Sequence, residues 1–220
     1  MLWGASSIRG YAVVASDGPS GTVDDFIFED RDWTIKWLVV ETGVWFSGRR
    51  LFVPVSAFGH PDPETRQFSV NMTLAQLADS PGRDVAELSD AETGAHFTQG
   101  EIAASPVART ERHFRSLVVM QQAAVEATDD EVGHAEDFLV DPADWQIKYL
   151  VVRTSDWWSG EKILISSHAI IGIDYTRNIL KLDVTRQSVK DGVRFSPEQT
   201  VDGAFDESFE TYYGIRFVKK

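Results

Sequence analysis

The most regular hydrophobic pattern in the chain is a strand-like segment that occurs twice. It reads WTIKWLVVET at 33–42 and WQIKYLVVRT at 145–154. In a strand, alternate side chains point to opposite faces, so Trp33, Ile35, Trp37 and Val39 share one face. The final Leu-Val-Val is apolar on both faces, which predicts that the strand becomes buried on both sides. Shorter strand patterns flank each copy, so the chain is predicted to be mainly β.

Local signals predict where several elements begin and end. Thr73 and Gln76 form a capping box that predicts a short helix to about Asp79, and Thr185 opens the equivalent helix to about Lys190. A second capping box at Ser89 predicts another short helix. Proline cannot donate to a strand ladder, so the strand that contains Pro54 should end there or lie at an edge.

The two strand-like segments belong to a longer repeat. Gly21–Gly48 recurs at Gly133–Gly160, an offset of 133 − 21 = 112, and 15 of the 37 residues from 21 to 57 are identical in the two copies. About two identities are expected by chance. The repeat predicts a first domain at 1–98, a linker at 99–111, and a second domain with a C-terminal tail at 112–220.

The segment at the end of this linker is predicted to belong to the second domain. The apolar segment 114–120 is predicted to enter that domain as an early strand. Because the linker is short and each core is small, the two copies are expected to pack through apolar surface as an intramolecular pseudo-dimer with an approximate twofold.

Composition narrows the classes of partner. The chain has 34 acidic and 21 basic residues, a net charge of −13, and no cysteine. An acidic surface argues against nucleic acid or an anionic lipid surface as partner, and it favours solubility or a basic protein partner. The lack of an apolar run of about 20 residues argues against direct membrane insertion. Disulfides and zinc–thiolate sites are excluded. Without a signal peptide or a long apolar run, the expected location is cytoplasmic.

The repeated motif resembles the PRC-barrel family. It carries glycine, Asp-Phe, then Trp-x-Ile-Lys-x-Leu-Val-Val-x-Thr and Trp-x-x-Gly in both copies. The resemblance implies two small antiparallel β-barrels in tandem with short flanking helices, used chiefly for docking other proteins. It implies no catalytic residues, and the two-copy chain resembles the stand-alone tandem members of the family.

Aromatic residues at a turn are the first candidates for a binding site. Trp45 and Phe46, and their counterparts Trp157 and Trp158, lie in polar turns where large aromatics have no local role. They could cap a barrel end or seal the contact between copies. They could also anchor a protein partner, since tryptophan and tyrosine dominate such anchors.

Lysines within the apolar strands form the second candidate group. Lys36 and Lys148 either extend along apolar surface to water or pair with Asp25 and Asp137 on the preceding strand. The acidic turns and the scattered histidines lack the spacing of metal ligands, and no nucleophile or phosphate-binding motif is present. No metal, cofactor or enzymatic activity is therefore predicted.

These observations lead to three hypotheses of function. The first is a non-enzymatic scaffold that docks another protein, which could be basic. The second is a small-ligand binder or minor enzyme that uses a cleft between the barrels. The third is a ribosome-associated assembly factor. Whether the protein is a monomer or a homodimer is left open.

Overall fold

The computed structural model describes residues 2–43, 48–80, 114–154 and 161–195. By their contacts, the residues fall into two compact units. The first unit comprises Ala5–Val119 and Asp144–Gln146, and the second comprises Met1–Gly4, Met120–Ala143 and Ile147–Lys220. The predicted linker at 99–111 and the helix predicted after Ser89 lie outside the described residues.

The described residues are mainly β with short helices. The strands, in chain order, are β1 (Trp3–Gly4), β2 (Ala12–Ala15), β3 (Gly18–Glu29), β4 (Thr34–Glu41), β5 (Arg50–Pro54), β6 (Phe58–Asp62), β7 (Gln67–Val70), β8 (Phe114–Ser116), β9 (Ala124–Glu126), β10 (Glu131–Asp141), β11 (Gln146–Thr154), β12 (Lys162–Ser166), β13 (Ile170–Asp174) and β14 (Ile179–Leu182). The α-helices are α1 (Ala5–Ile8), α2 (Leu74–Ala78), α3 (Leu117–Met120) and α4 (Arg186–Lys190).

The first unit has the strand order β5-β4-β3-β2-β7-β6. Its ladders are antiparallel except for β2 and β7, which run parallel. The second unit repeats this order as β12-β11-β10-β9-β14-β13, with β9 and β14 parallel. The equivalent strands therefore pair in the same way in both copies.

The predicted closed antiparallel barrels are not observed. The sheet is mixed, and the described strands do not close into barrels. The reason is visible after β5, where a 3-10 turn at Val55–Ala57 leads the chain away from the strand, as the turn at Ser167–Ala169 does after β12. β6 then pairs with β7 instead of β5, so β5 and β6 remain at opposite edges.

The first strand of each copy pairs within the unit of the other copy. β8 lies antiparallel to β3, with Ser116 opposite Ile27. β1 lies antiparallel to β10, with Trp3 opposite Val140. The segment 114–120 was expected as an early strand of the second domain, but its strand instead extends the sheet of the first unit. Its apolar residues fit either partner, and the local pattern does not distinguish them.

Most of the local predictions are confirmed. Leu38, Val39 and Val40 are fully buried on β4. Thr73 and Gln76 make the reciprocal hydrogen bonds of a capping box at the start of α2. Thr185 caps α4 in the same position.

The two tryptophans expected at the start of the long strands lie in turns. Trp33 and Trp145 both have a positive φ of 56°, a backbone region that is rare for large side chains. Burial compensates for this cost, because both side chains are only 7% exposed. Trp33 stacks on Phe28, with ring centroids 5.0 Å apart.

Aromatic packing forms one side of the core of the first unit. Trp145 packs against three phenylalanines, with centroid distances of 4.7 Å to Phe58, 5.5 Å to Phe68 and 6.2 Å to Phe26. Aromatic pairs at such distances add about 0.5–1.5 kcal/mol beyond the area they bury. The other side of the sheet buries Ile27, Val39, Phe52 and Phe114.

Candidate functional site

The aromatic turn residues lie outside the described residues. Trp45 and Phe46 fall in the gap between 43 and 48, and Trp157 and Trp158 fall between 154 and 161. Their role as partner anchors therefore stays a prediction, and the described residues provide other candidates.

The predicted pair of Lys36 with Asp25 does not form. The Nζ of Lys36 lies 3.0 Å from Asp32 and 3.4 Å from Glu29. Asp25 is opposite Val39 in the ladder, three residues further along β4 than Lys36, a distance of about 10 Å. Lysine therefore pairs with the acidic turn beside it.

Asp137, the equivalent carboxylate of the second copy, accepts hydrogen bonds from the N–H of Phe138 at 2.8 Å and from Gln121 Nε2 at 3.4 Å. Its pairing with Lys148 stays a prediction.

Asp25 is instead buried beneath the segment that carries β8. Its carboxylate accepts hydrogen bonds from the Ser116 hydroxyl, from the N–H of Val118 at 3.1 Å and from the N–H of Phe26 at 2.7 Å. Burial raises the pKa of Asp25 to about 6, although these hydrogen bonds lower it in part. This polar cluster attaches β8 to β3.

Arg115 strengthens the same attachment. Its side chain is buried, and its Nε lies 3.6 Å from the carboxylate of Asp30. Its Nη1 donates a hydrogen bond to the carbonyl of Phe114 at 2.9 Å. The buried cluster of Asp25, Ser116 and Arg115 therefore joins β8 to β3.

The strand β13 is the first surface with the chemistry of a binding site. It lies at the edge of the second unit, and within the described part of the chain only β14 pairs with it. The side chain of Ile171 is 65% exposed, and Tyr175, just beyond the strand, is 39% exposed. Isoleucine on an open edge provides both backbone hydrogen-bonding groups and apolar contact for an added strand.

The equivalent edge of the first unit is protected. At the same 112 offset, Gly59 and Pro61 of β6 replace Ile171 and Ile173 of β13. Proline at an edge removes a donor that another strand could use. Both ladders also contain a register shift, at Phe58/Pro61 and at Ile170/Gly172. The second copy thus keeps the bulge but lacks the proline.

A cavity in the first unit is the second candidate. Its volume is about 990 Å³, and it lies between the start of β3, the end of β4 and the helix α2. Its walls carry apolar side chains of Pro19, Leu74 and Ala78, together with the carboxylates of Asp17 and Glu41. A cavity of this size and character is typical of small-molecule sites.

Sequence reasoning did not find β13 or the cavity. The residues 58–62 read FGHPD, which is a turn composition, so β6 was not predicted. A comparison of the two copies would have pointed to β13, because Ile171 and Ile173 stand there in place of Gly59 and Pro61. Within the described residues, no group of histidine, aspartate and glutamate has the arrangement of a metal site. None of the described helices has the length and apolar character of a membrane span.

The first copy contains a mixed sheet followed by the capped helix α2. Residues 4–71 match the family model of the PRC-barrel domain, and the second copy is not detected by the same model. No curated protein matches the chain.

Proposed function

We propose that the chain is a protein-docking module, in which the second copy is a further PRC-type domain that binds an extended segment of a basic protein along β13. The observation that carries this proposal is the contrast between the two edge strands. β6 is protected by Pro61, whereas the equivalent position of β13 is Ile173. The proposed activity is binding without catalysis.

The edge geometry supports binding of an extended segment. On the side where no described strand pairs with it, β13 offers backbone groups that pair with a strand, and Ile171 offers an apolar surface next to them. Addition of a strand to an edge gains affinity from main-chain hydrogen bonds and specificity from alternate side chains.

The charge of the chain supports a basic partner. With 34 acidic and 21 basic residues, the protein attracts positively charged segments over a distance and repels acidic ones. Asp174 lies on β13 itself. The favoured occupant is therefore an extended segment in which apolar residues alternate with lysine or arginine.

The test introduces into β13 the proline that β6 carries at the equivalent position. Ile173→Pro places proline where Pro61 stands opposite Phe68, in a ladder that still forms. The strand should therefore keep its pairing with β14 and lose a donor on its outer side. Binding of a fluorescent ten-residue peptide of alternating valine and lysine is measured by anisotropy.

We expect the variant to bind this peptide about tenfold more weakly, the loss of roughly one hydrogen bond with its adjoining contacts. The matched control is Val119→Ser, which removes an exposed apolar side chain elsewhere and should leave binding unchanged. Equal binding of a valine–glutamate peptide, or equal binding by Ile173→Pro, contradicts the proposal. A wild-type dimer that Ile173→Pro dissociates would show that a second copy of the chain occupies the edge instead.

A further inference from the structure

We propose that the cavity of the first unit binds an organic cation with an apolar body, such as a long-chain amine. This site is independent of the docking strand and lies entirely within the first unit.

The backbone of the cavity wall is held in place by contacts that occur in both copies. Asp17 accepts a hydrogen bond from the N–H of Leu74 at 2.7 Å, and Asp129 accepts one from the N–H of Arg186 at the same distance. These carboxylates fix the start of α2 and α4 against the turn before the long strand. The scaffold around the cavity is therefore common to the two copies.

Gly21 lies in the wall of the cavity, at a point where two strands approach each other closely. A Cβ atom at Gly21 would collide with the backbone carbonyl of Glu41 and lie 2.9 Å from Val40 Cγ1. Gly133 has the same relation to the carbonyl of Arg153. Both copies therefore require glycine here, and the backbones of two strands approach closely at this point.

The side chains that line this common scaffold differ between the copies. In the first copy the helix presents Leu74 and Ala78, whereas α4 of the second copy presents Arg186 and Lys190 at the same positions. Arg186 forms an ion pair with Asp130. The apolar wall is therefore a property of the first copy and is not required by the fold.

The acidic side of the cavity also differs. Glu41 is exposed at the end of β4 and makes no ion pair among the described residues. Its neighbour in the ladder, Arg50, directs its Nε to Asp24 at 3.0 Å. The carboxylate of Glu41 therefore remains available at the rim.

In the second copy this position is Arg153, and it is fully engaged. Its Nε lies 2.8 Å from Glu136, which also contacts Lys162 at 2.6 Å. Partial burial raises the pKa of Glu136, but the hydrogen bonds from these two bases outweigh it and hold the pKa below its usual range. The exchange of glutamate for arginine thus reverses the charge at the rim.

Together these differences define the chemistry of the ligand. Leu74, Ala78 and Pro19 favour an apolar body, and the carboxylates of Glu41 and Asp17 favour a positive charge at one end. Since Asp17 is already bonded to the N–H of Leu74, Glu41 is the principal partner of the cation.

The experiment measures binding of decylammonium to the full chain by calorimetry, below its micelle concentration. Decanoate and decanol, which have the same chain length, test whether the positive charge of the ligand determines its affinity. We expect decylammonium to bind and the other two to bind at least tenfold more weakly or not at all.

Two pairs of variants locate the site. Ala78→Lys introduces the residue of the second copy and should weaken decylammonium binding at least tenfold, whereas Gln67→Lys adds the same charge on exposed β7 and should not. Glu41→Gln should weaken it about fivefold, as expected for one exposed ion pair, whereas Glu64→Gln in the β6–β7 turn should have no effect.

Three results overturn the assignment: no binding of decylammonium, binding of all three ligands with similar affinity, or equal binding by Ala78→Lys and the wild type. Ile173→Pro should bind decylammonium normally. Failure of the decylammonium test can therefore be distinguished from failure of the docking proposal.

Discussion

At the scale of single residues, Asp25 shows how position changes the role of a charged group. The sequence predicted an ion pair with Lys36, since the two residues lie on adjacent strands. The structure buries Asp25 under β8, where a hydroxyl and two backbone N–H groups replace the lysine. Strand adjacency could be predicted, but the segment that covers Asp25 comes from a distant part of the chain.

Asp25 should make the stability of the protein depend on pH. Burial raises its pKa from 3.8 to about 6, so the folded state holds the proton more tightly than the unfolded chain. This residue therefore stabilises the fold below about pH 4, and that stabilisation is lost as the pH rises through about 6. A shift of two pKa units corresponds to about 3 kcal/mol.

The prediction is measured by urea unfolding of the wild type and of Asp25→Asn between pH 4 and pH 7.5. The free energy of unfolding of the wild type should fall relative to that of the variant by about 3 kcal/mol over this range. Asp62 serves as a contrast, because its hydrogen bonds with Thr65 and Glu64 lower its pKa. Its contribution to stability is lost only below about pH 4, so the difference between the wild type and Asp62→Asn should stay nearly constant over this range. A constant difference between wild type and Asp25→Asn contradicts the prediction.

At the scale of elements, the close approach of β3 to the end of β4 depends on Gly21. The sequence placed this glycine at the end of a turn, but the structure places it inside β3, opposite Val13. Its φ is not the reason for glycine at this position. The reason is the close approach of the carbonyl of Glu41.

We therefore expect Gly21→Ala to lower the free energy of unfolding by about 1–3 kcal/mol, the usual cost of an atom forced into a packed site. Gly43→Ala is the matched control, since a Cβ atom there would have no neighbour within 4 Å. Chemical denaturation of both variants checks the prediction. An equal loss of stability in Gly43→Ala would show that the general cost of replacing glycine is responsible, and not the close approach of β3 to β4.

Elements were predictable where the signal is local. The long apolar strands, the capping boxes at Thr73 and Thr185, and the end of β5 at Pro54 all depend on neighbouring residues. β6 was not predicted because glycine and proline in FGHPD indicate a turn, although a bulged edge strand accepts both. The parallel pairing of β2 with β7 joins residues more than 50 positions apart, and no local pattern specifies it.

At the scale of the molecule, the first unit is completed by residues from the second half of the sequence. Phe114 joins the buried cluster around Ile27 and Phe52, and Trp145 packs among Phe58 and Phe68. The repeat predicted two copies, and the same strand order occurs in both. It could not predict that each compact unit includes a segment from the other copy, because these segments are compatible with either core.

The candidate binding surfaces also became visible only at this scale. The identities between the copies explain the common framework, including Gly21 and Gly133. The differences, Pro61 against Ile173 and Leu74 against Arg186, identify the surfaces on which each copy has its own chemistry. Comparison of one copy with the other therefore serves as an internal control for each proposal.

The contribution of the second half to the first core can be measured at Trp145. Trp145→Ala removes a side chain that is 7% exposed and contacts three phenylalanine rings, so it should cost about 3–5 kcal/mol of stability. Amide hydrogen exchange shows where this cost falls. Protection should decrease in β6 and β7, which carry Phe58 and Phe68, more than in β13 and β14, their equivalents in the second unit.

Equal loss of protection in both pairs of strands would mean that Trp145 stabilises the chain as a whole. A cost below about 1 kcal/mol, within the range of an ordinary surface substitution, would mean that the first unit forms its core without the second half of the sequence.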